Sequence, residues 1–464
     1  MFRLRSGPAI VAFVCASFGV LTAQSGPHEL RAREIFKQLV EINTTEANGS
    51  TTRAAEAMAE RFTAAGFPAA DIHVFGPSPR KGNLVVRYRG TGARRPLLLL
   101  AHLDVVEARR EDWSFDPFTL TEKDGYLYGR GTADDKTMAA AFVANLLRLK
   151  SEGYMPARDL ILALTADEEG GTENGVKWLL ANHRDLIDAE FAINEGGGGV
   201  MRKGRYVTNE VQAAEKVYQD FRLEVRNSGG HSSLPEKDNA IYRLSAGLSR
   251  LAAFEFPVQL NDITRAYFSR SAPAQAEAQT RSDMLAVAKQ PPDLEAAARL
   301  STNSPYFNSL LRTTCVATRL EGGHALNALP QLAAANVNCR IFPGVSPIEV
   351  MAVLTKVVSD AEIRISPVGE ATPSKPATLR DDLMNAVETI VKSMFPGVPV
   401  VPVMSTGATD GLYLRNAGIP TYGADGLFDD IDDVRAHGRD ERVGIKQFNE
   451  DLEFHYRLIT ALSK

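Results

Sequence analysis

Cysteine is scarce in this sequence, which contains three among its 464 residues. Cys15 lies in an apolar N-terminal stretch, so the rest of the chain holds only Cys315 and Cys339. Because no Cys-x-x-Cys pair is present, the sequence excludes a zinc site built from thiolates. The two later cysteines stand in two β-like runs that a segment rich in glycine and proline joins. A disulfide between neighbouring strands and two buried thiols both remain open.

Blocks of lysine and arginine are also missing, and the formal net charge is −5. A mild acidic balance without a basic helical stripe argues against nucleic acid as a partner. The sequence has no G-x-S-x-G elbow, which argues against a serine nucleophile on a strand–helix turn. The glycine run at 196–199 lacks the lysine and the spacing of a phosphate-binding loop.

The chain opens with an apolar run of modest length. Two arginines precede the apolar residues 9–21, and the small residues Ala23 and Ser25 follow. This pattern is typical of a secretory signal and is too short to span a membrane comfortably. We predict a signal peptide over residues 1–23 and an exported protein, periplasmic or extracellular, with no stable membrane span after its removal. An uncleaved N-terminal anchor is the alternative.

Length and composition indicate a soluble globular protein of two or more domains, since 44% of the residues are hydrophobic and 23% charged. Strand-like and helical runs alternate over residues 24–213, which predicts an α/β domain with a mostly parallel sheet. Residues 214–375 follow the order β-α-β-β-α-β, as in a ferredoxin-like α/β sandwich, with an insertion at about 255–308. Residues 376–464 return to the first domain.

Charged and imidazole side chains follow three apolar runs where each run ends. His102 and Asp104 follow one run, the pair 168–169 (Glu-Glu) follows a second, and Glu195 follows a third. Asp134 stands directly before a helix. Ligands gather at the carboxyl ends of parallel strands, so we expect these side chains to lie close together.

Such a cluster of carboxylates and imidazole, without lysine or arginine, predicts divalent cations. The donor types suit Zn²⁺, with Mn²⁺ or Co²⁺ as substitutes. The number of donors exceeds what one tetrahedral zinc with an open position needs. It fits two metals about 3.5–4 Å apart that share a bridging carboxylate and a water.

Seven motifs together resemble the M20 family of co-catalytic metallopeptidases, which includes carboxypeptidases, dipeptidases, aminoacylases and deacetylases. They occur in the family's order and cover nearly all of the chain after the signal: AHLDVV, GRGTADDK, ADEEGG, INEGG, NSGGHSSLPE, NALP and CRIFPG. The long insertion, with TRAYFSRSA, is most similar to the carboxypeptidase S and N-fatty-acyl-amino-acid hydrolase branch. The resemblance implies a zinc-exopeptidase catalytic domain (24–213 and 376–464) and a lid domain (214–375) that can also form a homodimer.

The resemblance also implies roles for single residues at the metals. His102 and Glu195 would bind one metal, and Glu169 and His437 would bind the other. Asp134 would bridge the two metals, and its peptide bond to the next residue would be cis.

Two further residues of these motifs would act beside the metals. Glu168 would be the general base that takes a proton from the bridging water, which is the nucleophile. Asp104 would hold the His102 imidazole in one tautomer.

Four candidate residues for substrate binding and one for charge stabilisation complete the resemblance. His231 would donate to the oxyanion, often from a neighbouring subunit. Asn327 and Arg340 would hold the substrate's terminal carboxylate, and Gly407 and Thr409 would lie in a substrate-binding loop.

The activity that follows is hydrolysis of a peptide or N-acyl bond beside a free α-carboxylate. A carboxypeptidase or dipeptidase is favoured, and an N-acyl amino acid hydrolase is the alternative. A peptide-binding protein that has lost the chemistry is a third interpretation, against which Glu168 argues because a binding protein needs no free base beside the metals.

Overall fold

The computed structural model describes residues 26–464; the signal-peptide prediction lies outside the described residues. The part before the lid forms five helices: α1 (Pro27–Glu41), α2 (Thr51–Ala64), α3 (Lys136–Ser151), α4 (Gly175–Asn182) and α5 (Arg184–Ile187). Its strands are β1 (Ile72–Phe75), β2 (Asn83–Tyr88), β3 (Arg94–His102), β4 (Thr121–Lys123), β5 (Tyr126–Tyr128), β6 (Arg158–Thr165), β7 (Phe191–Asn194), β8 (Gly198–Arg202) and β9 (Arg205–Glu215).

The lid and its insertion follow. Their strands are β10 (Val217–Arg226), β11 (Gly230–His231), β12 (Thr314–Gly322), β13 (Ala328–Leu329), β14 (Leu332–Ile341) and β15 (Ile363–Val368). Their helices are α6 (Ala240–Ala252), α7 (Asp262–Ser271), α8 (Ala278–Val287), α9 (Leu294–Asn303), α10 (Pro305–Leu311) and α11 (Pro347–Val358). The C-terminal part adds α12 (Asp381–Met394), β16 (Val400–Ser405), α13 (Gly411–Asn416), β17 (Thr421–Gly423), β18 (Phe428–Asp430), β19 (Arg442–Gly444) and α14 (Ile445–Leu462).

A ten-stranded sheet forms the centre of the catalytic domain, in the order β1-β2-β6-β3-β7-β17-β9-β8-β18, with β16 paired to β9. Its middle strands β6, β3, β7 and β17 are parallel. Leu97 and Leu99 of β3 pack into the core on one face, and Leu98 and Leu100 pack into the core on the other. Burial on both faces explains the continuous leucine run. The α/β prediction is confirmed.

The main elements of the lid occur in the order β10, α6, β12, β14, α11, β15. Four of its strands form an antiparallel sheet in the order β12-β14-β10-β15, the short strands β11 and β13 form a separate ribbon, and buried residues of α6 and α11 pack on the four-stranded sheet. Ser346 caps α11, and its capping box with Glu349 and the proline at the first helical position explain why the helix begins there. Among residues 26–464, no helix combines the length and apolar character that a membrane crossing requires.

The insertion lies within the lid in sequence, but in the structure it packs on the catalytic domain. It contains the four helices α7–α10, whereas the sequence predicts only an insertion at about 255–308. Phe268, Met284 and Leu300 from these helices belong to the same buried cluster as Val401 of β16, while the lid core is a separate cluster. The insertion therefore extends the catalytic core.

The strand register shows whether Cys315 and Cys339 form a disulfide. Cys315 of β12 lies directly opposite Cys339 of β14. The two residues form a disulfide across a sequence separation of 24. The bond ties the edge strand of the lid sheet to its neighbour.

Removing this disulfide will destabilise the protein. The double variant Cys315→Ala/Cys339→Ala frees a loop whose closure lowers the entropy of the unfolded chain, so we expect a loss of about 3 kcal/mol. Thermal unfolding with and without reductant measures it: reductant should lower the midpoint of the wild type and leave that of the variant unchanged. Equal midpoints for the oxidised wild type and the variant would contradict the prediction.

Candidate active site

The parallel strands bring the candidate ligands to one edge of the sheet. His102 is the last residue of β3, Glu169 follows β6, and Glu195 follows β7; these three strands are neighbours in the order β6-β3-β7. Asp134 lies just before α3, and His437 lies between β18 and β19. Five residues separated by up to 335 positions in the chain (102 to 437) thus converge on one place.

Asp134 lies at the centre of this cluster. Its Oδ1 is 2.9 Å from Nε2 of His102, and its Oδ2 is 3.1 Å from Nε2 of His437. The same Nε2 of His437 is 2.9 Å from Oε2 of Glu169. Asp134 therefore presents one carboxylate oxygen to each histidine, which is the arrangement a bridging ligand needs.

Two groups of donors fit two cations. The ligand atoms of His102, Asp134 and Glu195 lie within 4.8 Å of one another, and so do those of Asp134, Glu169 and His437. Only imidazole and carboxylate occur in these groups, as zinc, manganese and cobalt sites use. The residues present therefore fit a pair of divalent cations.

The electrostatics of the cluster favour positive charge. Hydrogen bonds to Asp134 and Glu169 raise the pKa of His437 to about 10. Burial lowers the pKa of His102, but the Asp134 hydrogen bond and the charge of Glu195 outweigh burial and the net shift is upward. The carboxylates thus favour the protonated form of both imidazoles, and divalent cations would satisfy the same negative charge.

Glu168 is adjacent to this cluster without belonging to either donor group. Burial raises its carboxyl pKa well above the usual range, Asp410 and Asp104 add to this, and His102 opposes it. Among the described residues no donor hydrogen-bonds to its side chain, whereas Glu169 contacts His437. The two adjacent glutamates therefore have different surroundings, as the sequence prediction requires.

Asp104 contacts both the histidine and the glutamates, but through different atoms. Its main-chain carbonyl is 3.0 Å from Nδ1 of His102, whereas its carboxylate oxygen is 3.7 Å from that nitrogen. The carboxylate accepts hydrogen bonds from the backbone N–H groups of Glu168 at 3.2 Å and Glu169 at 3.0 Å. The carbonyl is thus the group that orients His102, and the carboxylate fixes the loop that carries the glutamates.

Glu441 belongs to this site, although the sequence motifs did not predict it. It is fully buried, and its carboxylate accepts hydrogen bonds from the N–H groups of Ala133 at 2.7 Å and Asp134 at 3.2 Å and pairs with Arg130 at 2.5 Å. The peptide bond between Asp134 and the next residue is cis, as the resemblance implies. Glu441 therefore holds the loop of the bridging carboxylate against the segment that carries His437.

Replacing Glu441 by glutamine will weaken metal binding without touching a ligand. Residues that orient ligands typically change metal affinity by about 10–100-fold, and we expect a loss in that range. Competition with a chelator, well below the unfolding temperature of both proteins, measures it. Glu295→Gln, on a side chain that is 91% exposed, is the control and should bind as the wild type does. Unchanged affinity in Glu441→Gln would contradict a positioning role.

The lid places two of its candidates together and away from the catalytic core. His231 of β11 pairs with Ala328 of β13, next to Asn327. His231 and Asn327 are both exposed, and Nδ1 of His231 lies 2.7 Å from Oγ of Ser233. Their predicted roles need a substrate or a second subunit beside this ribbon.

The remaining candidates lie elsewhere. The guanidinium of Arg340 stacks 4.7 Å from the ring centre of Tyr218 on the lid sheet, apart from the His231 ribbon. Thr409 is buried, and its hydroxyl donates to Glu215 at 3.0 Å, so this hydroxyl is engaged by the protein itself. Gly407 is half-buried in the same loop, with its N–H on Ser405. The substrate roles of these three residues stay predictions.

Comparison with known proteins agrees with this geometry. The chain matches the family model described as Peptidase family M20/M25/M40 over residues 98–461. It is 28% identical over 374 residues to N-fatty-acyl-amino acid synthase/hydrolase PM20D1 of Homo sapiens, covering 79% of this chain and 74% of the relative. It is 28% identical over 395 residues to a probable carboxypeptidase S-like 2 of Dictyostelium discoideum, covering 82% and 75%.

A solved structure shows the same fold. The M20 family metallo-carboxypeptidase Sso-CP2 from Sulfolobus solfataricus superposes with a TM-score of 0.70 and 18% identity, over 93% of this chain and 98% of that one. The match covers catalytic domain and lid alike. Motifs, converging donors and the matched range lead to one conclusion: this chain belongs to peptidase family M20/M25/M40 and is a metallo-hydrolase of the carboxypeptidase, dipeptidase and acylase type.

Proposed function

We propose that this protein hydrolyses an amide bond next to a free α-carboxylate, with two Zn²⁺ ions as its cofactors. The observation that carries the proposal is the shared Asp134, whose two oxygens face His102 and His437, beside Glu168, whose carboxyl group receives no hydrogen bond from residues 26–464. Two bound cations supply a Lewis acid for the amide carbonyl and lower the pKa of a water molecule. Co²⁺ or Mn²⁺ can substitute in such donor sets.

The residues of the chain would then move the proton and hold the reactants. The free carboxylate of Glu168 accepts a proton from the attacking water and passes it to the leaving amine. Asp104 keeps Glu168 in place through its backbone N–H and holds the His102 ring through its carbonyl. Asn327 and Arg340 lie apart on the lid, so both would reach the substrate carboxylate only when the lid closes, which would also exclude water from the site.

Peptides are the favoured substrates, and N-acyl amino acids are the second candidate. The similarity to the N-fatty-acyl-amino acid synthase/hydrolase supports the second, and the similarity to the carboxypeptidase S-like protein supports the first. A panel of dipeptides and N-acyl amino acids, each offered also as its methyl ester, tests both. The proposal expects turnover of free acids and little turnover of esters; equal turnover of acids and esters would overturn the carboxylate requirement.

Dimerisation through the lid would bring His231 to the site of the neighbouring subunit. Strand β12 is a free edge of the lid sheet, with Val316 60% and Leu320 67% exposed, and Tyr242 of the adjacent helix α6 is 64% exposed. An unpaired edge with exposed apolar side chains is suited to pairing with a second copy. This supports a homodimer.

Mixed dimers test the role of His231 across subunits. Subunits with His231→Ala and subunits with Glu168→Gln should each be nearly inactive alone. After unfolding and joint refolding in equal amounts, about a quarter of wild-type activity should return, since half of the dimers have one complete site. No recovery in dimers of verified composition would show that His231 does not act in trans.

Export to the periplasm or the extracellular space is part of the same proposal. The predicted signal at residues 1–23 and the disulfide between Cys315 and Cys339 support it, because disulfides persist in oxidising compartments. N-terminal sequencing of the protein recovered outside the cytoplasm tests it. Recovery of the full-length chain from the cytoplasm alone would contradict it.

A further inference from the structure

A cavity lies between the insertion and the large sheet. Its volume is about 1290 Å³, and it is lined by residues of β8, β9, α7 and α10 and by the connection after α7. None of the residues predicted for the metals or for substrate binding lines it. Because the insertion forms one of its walls, the cavity exists only where the insertion packs on the catalytic domain.

One wall of this cavity carries a carboxylate without a partner. Glu210 projects from β9, and among residues 26–464 no side chain or N–H group hydrogen-bonds to its carboxyl group. Burial alone raises the pKa of this carboxyl to about 7, with no nearby cation to oppose it. A carboxylate in such surroundings is costly to ionise unless a positive group is brought to it.

The opposite wall is aromatic. The rings of Tyr267 and Tyr306 have centres 6.0 Å apart and meet edge to face at 77°. Glu210 lines the same cavity as both tyrosines. Burial and then the charge of Glu210 raise the pKa of both hydroxyl groups. Tyr306 is 40% exposed and is one of the residues that line the cavity.

We propose that this cavity is a binding site for an organic ammonium ion, whose nitrogen pairs with Glu210 beside the rings of Tyr267 and Tyr306. The faces of aromatic rings are negative and attract cations, and a carboxylate adds the opposite charge directly. Val207 and Phe307 line the same space and offer apolar contacts to the alkyl part of such a ligand. An anion would be repelled by the Glu210 carboxylate, and a neutral alcohol can donate a hydrogen bond to it but brings no positive charge to balance it.

The charges at the mouth do not compete with this arrangement. Arg202, Lys203 and Arg205 are exposed, as is Glu277 across the mouth. Arg202 lies 3.6 Å from Asp432, which balances its charge. Exposed charges act weakly at a distance because water and salt screen them, whereas Glu210 acts inside the cavity.

The proposed ammonium site is next to the predicted metal site in the sheet, but the two sites share no residues. Glu210 lies opposite Gly198 in the β8–β9 pair, and Gly198 follows the predicted ligand Glu195 after two residues. No part of the proposed hydrolysis uses Glu210, Tyr267 or Tyr306. Ligand binding here is therefore measurable in a protein whose hydrolysis is switched off.

Calorimetric titration of the metal-loaded protein tests the proposal. Hexyltrimethylammonium is the probe, and hexanoate and hexanol are probes of the same length with negative and no charge. We expect saturable binding of one hexyltrimethylammonium per chain, with the other two at least about tenfold weaker. Glu210→Gln should weaken the ammonium probe by about tenfold or more, and the rim variant Glu277→Gln should leave its affinity unchanged.

Two further variants keep the outcome decisive. Tyr306→Leu removes the ring and keeps an apolar wall, so it should also weaken the ammonium probe. Glu168→Gln should bind the probe as the wild type does, which separates this site from the hydrolytic one. The proposal is overturned if the wild type shows no saturable binding, if hexanoate or hexanol binds equally well, or if Glu210→Gln and Tyr306→Leu both bind as tightly as the wild type.

Discussion

Replacing Glu168 by glutamine will lower kcat by about 10²–10⁴-fold and leave the metal content unchanged. Glutamine keeps the shape of the side chain but cannot accept the proton of the attacking water. Because Glu168 belongs to neither donor group, its loss removes no ligand. Steady-state kinetics on the preferred substrate and metal analysis of the same sample measure the two quantities.

The neighbouring residue is the matched control. Glu169→Gln changes the same chemical group one position along the chain, but Glu169 lies 2.9 Å from His437 within a donor group. This variant should lose activity together with about one metal per chain. If Glu168→Gln loses metal and Glu169→Gln does not, the assignment of the two glutamates must be exchanged.

The second large effect concerns Asp134. Asp134→Ala should lose affinity for both metals, because Asp134 is the residue that the two donor groups share. We expect activity to fall by about 10³-fold or more, since both the carbonyl activation and the acidified water depend on the metals. Metal analysis after dialysis and hydrolysis assays measure this. Asp112→Ala, an exposed aspartate of the same domain, is the control.

A different result for Asp134→Ala would change the account. If one metal stays bound at wild-type affinity and the protein still turns over substrate at a comparable rate, Asp134 does not bridge. The two donor groups would then act as one catalytic site and one structural site.

The metal-binding edge of the sheet could be predicted because its residues follow strand ends. Apolar runs such as 97–100 identify buried parallel strands, and the carboxyl ends of such strands meet. His102, Glu169 and Glu195 were therefore predictable as neighbours. The pairing of Asp134 with His437 was available only from the resemblance, since a loop residue has no periodicity to locate it.

The role of Glu441 and the packing of the insertion depend on contacts between distant parts of the chain, which no local sequence pattern reveals. Asp440 and Glu441 are adjacent carboxylates, yet Asp440 binds Ser114 at the surface and Glu441 holds the Asp134 loop in the interior. The sequence offers no means to tell them apart. The packing of the insertion could not be predicted either, because its helices contact β16, which belongs to the other domain and is distant in sequence.

The sequence predicts that Asp104 holds His102 but does not indicate which of its atoms does so. In the structure the carbonyl of Asp104 contacts Nδ1 of His102, and the carboxylate accepts hydrogen bonds from the N–H groups of Glu168 and Glu169.

Titration of the metal-free protein with Zn²⁺, with hydrolysis of the dipeptide and N-acyl amino acid panel followed at each step, tests whether two zinc ions are required for amide hydrolysis. We expect no turnover without metal and activity that reaches its plateau at about two Zn²⁺ per chain. Turnover by the metal-free protein would contradict the proposed mechanism. Binding of two Zn²⁺ without turnover of any panel member would contradict the proposed amide hydrolysis and favour a protein that binds peptides without cleaving them.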